Sequence, residues 1–450
     1  MPDTFSHGPA IEPLAGSMRD FRELKGTNLL ARVEPFFQWK EGRRDSGFWP
    51  YSKSMEEAPR PVTAAIDDQG RRVRGVNFAS QDYLGLSSHP AIKQTAMAVI
   101  EEFGVHSAGS SALAGNNKYS QALERMIADF LGMKHTCLYP TGWAAGYGAI
   151  KGLVRPEDHV VMDGLAHACL QEGAYSATRN VHLHGHLNVD SARRHLRKIR
   201  ANDSVNGIMV VTESLFSMDS DTPDLVALQA LCREYNATLL VDVAHDLGCL
   251  GEDGRGHIGM QNMLGKVDLV MGSFSKTFGS NGGFVASQSP AVREYLKFYG
   301  CSATFSNALS PVQCATVLKA FEIIQSAEGQ ALRHALMERV LYARSALEKA
   351  DFQVLGAPSA IVPVVVGPEA LARMVCRRLP AQRVVANLVE YPAVAKGNAR
   401  LRLQVMASHT NENIDELVVA LKVASDAAKA DYRVYCERPA EAPRLRAVGG

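Results

Sequence analysis

The chain has 450 residues, with 48 Lys and Arg against 47 Asp and Glu, a formal net charge of +1. Hydrophobic residues at 46% and charged residues at 21% describe a folded globular protein long enough for two or three domains. That balance excludes a disordered chain and leaves no basic footprint for nucleic acid.

The elements follow in chain order. Residues 1–60 are polar and Pro-dotted and read as an N-terminal arm, with one amphipathic helical piece at Leu29–Trp39. No stretch of roughly 18 consecutive apolar residues predicts a membrane span. The start, Met-Pro-Asp-Thr-Phe-Ser-His, has neither the basic region nor the apolar core of a secretory signal. Residues 61–335 read as a large α/β domain. Its strands are predicted at His159–Asp163, Gly207–Glu213, Ala237–Asp242, Val267–Gly272 and Gly283–Ser287, and its helices at Tyr119–Leu131, Leu225–Tyr235 and Ala291–Tyr299. Runs such as Ile208-Met-Val-Val211 and Leu239-Leu-Val241 are buried on both faces, which means a mainly parallel sheet covered by helices. The basic stretch Arg193–Arg200 is amphipathic and reads as a solvated helix face. Residues 336–435 read as a smaller α+β domain with strands at Ile361–Val366 and Ala399–Val405 and helices at Pro368–Arg378 and Asn411–Ala427, the last capped by Thr410. Residues 436–450 read as a disordered tail. Eight cysteines without a CxxC pair predict reduced, mostly buried thiols and a cytoplasmic protein.

In such sheets ligands sit beyond the carboxyl ends of the strands. The residues that follow the predicted strands are Gly164-Leu-Ala-His167, then Glu213, Ser214 and Ser217, then Asp242 and His245, then Ser273, Ser275 and Lys276. Two carboxylates, two histidines, several hydroxyls and a lysine converge on one rim. Asp242 and His245 lack a third ligand at sensible spacing, so no metal is expected. Gly279-Ser-Asn-Gly-Gly283 has neither the spacing nor the strand and helix of a nucleotide loop. A lysine in Gly272-Ser-Phe-Ser-Lys276-Thr-Phe-Gly279, beyond a buried strand-end aspartate, points to pyridoxal phosphate. The amine forms the Schiff base, the carboxylate keeps the pyridine nitrogen protonated, and hydroxyls with helix-start amides take the phosphate.

Residues from about 75 to 425 resemble the α-oxoamine synthases, the fold-type-I pyridoxal-phosphate enzymes that include serine palmitoyltransferase, 8-amino-7-oxononanoate synthase, 5-aminolevulinate synthase and 2-amino-3-ketobutyrate CoA ligase. The resemblance rests on Ser80-Gln-Asp-Tyr-Leu-Gly-Leu-Ser-Ser-His-Pro90, Tyr139-Pro-Thr-Gly-Trp-Ala-Ala145, Asp163-Gly-Leu-Ala-His167, Thr212-Glu-Ser-Leu-Phe-Ser-Met-Asp219, Val241-Asp-Val-Ala-His245, Ser273-Phe-Ser-Lys-Thr-Phe-Gly279, Thr304-Phe-Ser-Asn-Ala-Leu-Ser-Pro311 and Ala399-Arg-Leu-Arg-Leu403 followed by His409-Thr410. Trp49-Pro-Tyr-Ser-Lys53 resembles a segment of the serine-palmitoyltransferase-like branch.

The resemblance implies a homodimer with shared active sites and a catalytic set of Lys276, His167, Asp242 and His245. Lys276 is implied as Schiff-base lysine and base, Asp242 as partner of the pyridinium nitrogen, and His245 as partner of the ring oxygen. His167 is implied as the group stacked on the ring, and Ser217, after Glu213, as a second contact on the ring-oxygen side. The phosphate falls to the amides of Gly142 and Trp143 and the hydroxyls of Ser273 and Ser275, with Ser306 reaching it from the other subunit. Arg402 is implied as the clamp on the substrate carboxylate. Two positions depart from the family. Gln81 stands where Asn commonly contacts that carboxylate, and Ala112 where many members carry Arg.

The reaction implied is a Claisen-type condensation, usually decarboxylative, of an amino acid with an acyl thioester carried by CoA or an acyl carrier protein. An aminotransferase or lyase of the same fold is the alternative, and a catalytically silent partner subunit is a third reading. The departure at Gln81 predicts that serine or alanine is preferred to glycine.

Overall fold

The computed structural model describes residues 12–437. A seven-stranded sheet is built from β1 (His135–Tyr139), β2 (His159–Asp163), β3 (Val181–His184), β4 (Ile208–Glu213), β5 (Thr238–Asp242), β6 (Leu269–Ser273) and β7 (Gly283–Ser287). Their spatial order is β1-β7-β6-β5-β4-β2-β3. Strands β2 to β6 pair in parallel, and β7 runs antiparallel to both β6 and β1. Alternate side chains feed two apolar layers. Ile208, Val210, Leu239, Val241 and Val270 pack under helices Lys118–Leu131, Val189–Asn202 and Leu225–Glu234. Met209, Val211, Leu240, Leu269 and Met271 pack under helices Gly142–Leu153, Ala168–Ala177 and Pro290–Tyr299. Burial on both faces is why these strands carry unbroken apolar runs.

The five predicted strands are present to within a residue or two. β1 and β3 were not predicted, since His-Thr-Cys-Leu-Tyr and Val-His-Leu-His carry too little apolar signal. Both lie at the sheet's edges, where strands need less of it. Arg193 and Arg197 lie on the solvated face of their helix as expected, whereas Arg200 turns back to donate to the carbonyls of Tyr235, Asn206 and Asn236. Among the described residues no helix is long and apolar enough to cross a membrane.

A second sheet, of Gln353–Val354, Ile361–Gly367, Ala399–Gln404 and Asn387–Val389, is antiparallel throughout. Helices Ala327–Lys349, Glu369–Arg378 and Asn411–Glu437 accompany it. Thr410 and Asn413 cap the last helix reciprocally, at 3.2 Å and 3.1 Å. That helix runs to Glu437 instead of ending at Ala427, because Tyr432 and Tyr435 carry its packing face onward. Residues 438–450 of the expected tail lie outside the described residues. A third, small sheet joins Ser54–Met55, Val62–Ile66 and Arg72–Asn77 to Val384–Val385.

The expected helix at Leu29–Trp39 is displaced to Glu34–Asp45. The Asn28 side chain accepts from the amides of Leu30 and Ala31 and holds a short turn there, and Pro35 then suits the first helical turn. This helix is anchored by a buried ion cluster. Glu390 accepts from Arg43 at 3.1 Å, from Arg373 at 2.7 Å and from the Tyr51 hydroxyl at 3.0 Å. Arg373 also holds the carbonyls of Leu14 and Gly16, each at 2.7 Å.

One clamp bears directly on the strand ends. His186, just after β3, donates from Nδ1 to Asp163 at 2.9 Å and from Nε2 to Asp221 at 3.1 Å. With both ring nitrogens donating, the imidazole is charged. Burial opposes that charge, but the hydrogen bonds to the two aspartates outweigh it and push its pKa up to about 10. Arg400 holds the same 214–221 turn through Asp219 and the Met218 carbonyl.

Two outcomes are expected. Glu390→Gln leaves two arginines out of water without a counter-charge, and its urea midpoint should fall by an amount equivalent to roughly 3–5 kcal/mol. An unchanged midpoint would show that the cluster adds no stability. For His186, the unfolded imidazole titrates near 6.5 and the folded one at about 10. Its contribution is therefore whole below about pH 6.5 and is lost as pH rises toward about 10. The gap in thermal midpoint between wild type and His186→Gln should be widest near pH 6 and close toward about pH 10. A gap independent of pH would mean that packing on Phe216, not charge, holds the ring.

Candidate active site

At the carboxyl rim of the large sheet a cavity of about 240 Å³ opens between the ends of β1, β2, β4, β5 and β6. It is lined by Gly142, Trp143, His167, Glu213, Asp242, His245, Ser273, Ser275 and Lys276. These predicted residues come from five separate segments, and the parallel sheet brings them together.

Lys276 owes its place to its neighbours in sequence. Phe274 and Phe278 are buried, with ring centroids 5.6 Å apart; Phe274 stacks onward on Phe284, and Phe278 packs tilted against Phe321. The two rings pin the turn between them. Gly279, at φ +60°, sits where an added Cβ would lie 2.8 Å from the Ser87 backbone. The amine is nearly enclosed. Burial lowers its pKa, while Asp242 and Glu213 work in the opposite direction. It is thus closer to a free base than a lysine in water.

Glu213 and Asp242 are register partners on adjacent strands β4 and β5. Burial, and for Glu213 the neighbouring Asp242, raises both carboxyl pKa values, and Lys276 pulls each back down. Glu213 accepts from the backbone amide of His167 at 2.6 Å and Asp242 from that of Ala244 at 2.8 Å. Behind them Asp246 is held by the Ser214 hydroxyl and the His257 amide, each at 2.7 Å.

The two histidines are also fixed. His167 is the N-cap of helix Ala168–Ala177, and its Nδ1 accepts from the Cys169 amide at 3.3 Å. The Nδ1 atom of His245 lies 3.0 Å from the hydroxyl of fully buried Tyr83. Burial lowers the basicity of both imidazoles; Asp242 opposes this at His167, while the charges of Lys276 and Arg402 lower both further.

The phosphate end of a cofactor has a matching cradle. Thr141 caps helix Gly142–Leu153 by accepting from the Ala144 amide at 3.0 Å. The amides of Gly142 and Trp143 have no acceptor among the described residues. An added Cβ on Gly142 would lie 2.3 Å from Ser273, so only glycine lets the helix start approach the Ser273 and Ser275 hydroxyls, themselves 2.8 Å apart. Unused helix-start amides, paired hydroxyls, a buried amine and a buried carboxylate fit pyridoxal phosphate.

Four predicted residues do not line the cavity. Arg402, on strand Ala399–Gln404, is half-buried and its buried Nε has no hydrogen-bond partner among the described residues. Gln81 is half-buried, as is Ser217 in the clamped 214–221 turn. Ser306 follows the short helix Cys301–Thr304, outside the cavity. Thr141, Cys169, Ala244, Met271, Asn281 and Gly282 also line it, and sequence reasoning gave them no role. Thr141 and Ala244 stand inside motifs already recognised, and for Thr141 its position as a helix cap was the available signal.

The family described as aminotransferase class I and II matches residues 73–421. The chain is 32% identical over 389 residues to the 8-amino-7-oxononanoate synthase of Geotalea daltonii, covering 86% of this chain and 97% of that one. It is 31% identical over 410 residues, 91% of its length, to the 4-hydroxy-2,2'-bipyrrole-5-methanol synthase PigH of Serratia sp., and spans 62% of that protein. Its fold superposes on the serine palmitoyltransferase of Sphingomonas wittichii with a TM-score of 0.82 at 26% identity, covering 90% of this chain and all of that one. The chain belongs to the α-oxoamine synthase family of fold-type-I enzymes, whose cofactor is pyridoxal 5'-phosphate.

Proposed function

We propose that this protein condenses an amino acid with an acyl thioester, from CoA or a carrier protein, to an α-amino ketone in the manner of serine palmitoyltransferase. A carbon–carbon bond forms between the amino acid's α-carbon and the acyl carbon, the thioester bond breaks with release of the thiol, and the carboxylate leaves as carbon dioxide. The supporting observation is the convergence of Lys276, Asp242, His245, His167 and Glu213 on one cavity beside a cradle of unused amides. Bound pyridoxal phosphate supplies an electron sink for negative charge at the α-carbon.

The chain's own residues do the rest. Lys276 holds the cofactor and then, its basicity lowered by burial, takes the proton from the α-carbon. With the cofactor bound, Asp242 would keep a proton on the ring nitrogen and His245 would donate to the ring oxygen, while Ser217, outside the cavity lining, would approach that side. His167 covers the ring face and is held by Glu213 through its amide. Gly142, Trp143, Ser273 and Ser275 bind the phosphate. Arg402, whose buried Nε has no partner among the described residues, takes the substrate carboxylate, and Gln81 shapes the pocket near the α-carbon.

The working unit is a homodimer in which Ser306 reaches the neighbour's phosphate. Two observations support this. Ser306 lies beside Phe305, which is 87% exposed, and its loop bonds through Ala308 to the Gly109 loop that carries Leu113, 84% exposed. Such apolar side chains at a surface fit a covered face. Free cysteines, most of them buried, fit a cytoplasmic protein.

The test incubates loaded protein with glycine, alanine, serine and threonine against a panel of acyl-CoAs. Thiol release, carbon dioxide and an α-amino ketone by mass spectrometry are expected, with serine or alanine ahead of glycine and the order altered in Gln81→Asn. Asp242→Asn should lose about 10²-fold in rate, equivalent to about 2.7 kcal/mol of barrier. Amino transfer to a keto acid without thiol release would overturn the reading in favour of an aminotransferase.

A further inference from the structure

The hydrogen bond between Tyr83 and His245 is the sole contact made by either polar group among the described residues. Tyr83 is fully buried and His245 is 7% exposed, on the cavity wall. The bond can be drawn two ways. If Nδ1–H donated to the phenol oxygen, the Tyr83 O–H would be a buried donor with no acceptor. If Tyr83 donates to Nδ1, every buried hydrogen is used and only a lone pair is left over. An unsatisfied buried donor is the costlier defect, so the second arrangement prevails. Burial also holds Tyr83 as a neutral phenol, able to donate.

We propose that Tyr83 is a positioning residue that donates to Nδ1 of His245 and thereby presents its Nε2–H to the cavity. The consequence for chemistry rests on the reading above that His245 meets the ring oxygen of the cofactor. A ring oxygen that accepts from a fixed Nε2–H keeps its negative charge, whereas an unprotonated Nε2 would have to take a proton from it.

The site contains its own control. Nδ1 of His167 accepts from the Cys169 backbone amide at 3.3 Å, with the Cys169 thiol beside it at 3.0 Å, and neither contact involves Tyr83. His167 therefore also carries its hydrogen on Nε2, independently of Tyr83. Tyr83→Phe keeps the ring and its packing and removes only the hydroxyl, so a residue that merely fills space would leave no trace in this variant.

The test records nitrogen-15 histidine spectra of full-length protein before and after loading with pyridoxal phosphate, with His245 and His167 assigned by single substitutions. In wild type both should be neutral with the hydrogen on Nε2. A hydrogen on Nδ1 of His245 in wild type overturns the proposal, and that measurement needs no variant. In Tyr83→Phe the Nδ1 signal of His245 should move to that of an unbonded nitrogen while His167 stays put. The visible band of the loaded protein should shift, and kcat should fall roughly 2–10-fold. A 3-fluorotyrosine placed at position 83 restores the donor and should restore all three. If Tyr83→Phe moves neither the Nδ1 signal nor the visible band, Tyr83 does not position His245. If the Nδ1 signal moves but band and rate do not, the contact stands and the assignment of His245 to the ring oxygen falls.

Discussion

Lys276 is partly withdrawn from bulk water on the wall of the cavity it shares with Asp242 and Glu213, and the rest of the site is built around that placement. An ammonium in such a place loses hydration, and the carboxylates return only part of it. The amine is therefore less basic than a lysine in water. The two carboxylates face a like conflict, since adjacent strands hold them side by side and burial raises both. Only a rigid scaffold keeps three such groups together. A doubly packed parallel sheet provides it, with each group at the end of a strand whose two faces are buried.

Around that centre several turns that carry site residues are tied to other elements of the fold. The phenylalanines on either side of Lys276 fix its turn from below. Charged His186 joins Asp163, four residues before His167, to Asp221, four residues after Ser217. Arg400 ties the same 214–221 turn to the antiparallel sheet that also carries Arg402. The proposed catalytic and carboxylate-binding groups are thus mechanically linked across two sheets.

Much of this was legible in the sequence, and the reasons are physical. Strands buried on both faces announce themselves by unbroken apolar runs, so β4, β5 and β6 and the residues beyond them were readable together. The edge strands β1 and β3 were not, because His135, Thr136, His182 and His184 interrupt the apolar signal, although Thr136 and His184 are themselves buried. Motif resemblance supplied Gly142 and Ser306, which no periodicity could. What stayed hidden were contacts between distant segments: Tyr83 with His245 spans 162 residues, and Arg43 with Glu390 spans 347. Neither pair leaves a local pattern. The start of the first helix was misplaced for the opposite reason, since Asn28 and Pro35 override an apolar period that continues through them.

The most direct measurement of the account fixes the cofactor in place chemically. Loaded full-length protein is reduced with borohydride, digested, and its peptides are read by mass spectrometry. A single pyridoxyl group on the peptide containing Ser273-Phe-Ser-Lys276, at Lys276, is the result the account predicts. A pyridoxyl group on another lysine, or none on a protein that had bound the cofactor, would contradict it.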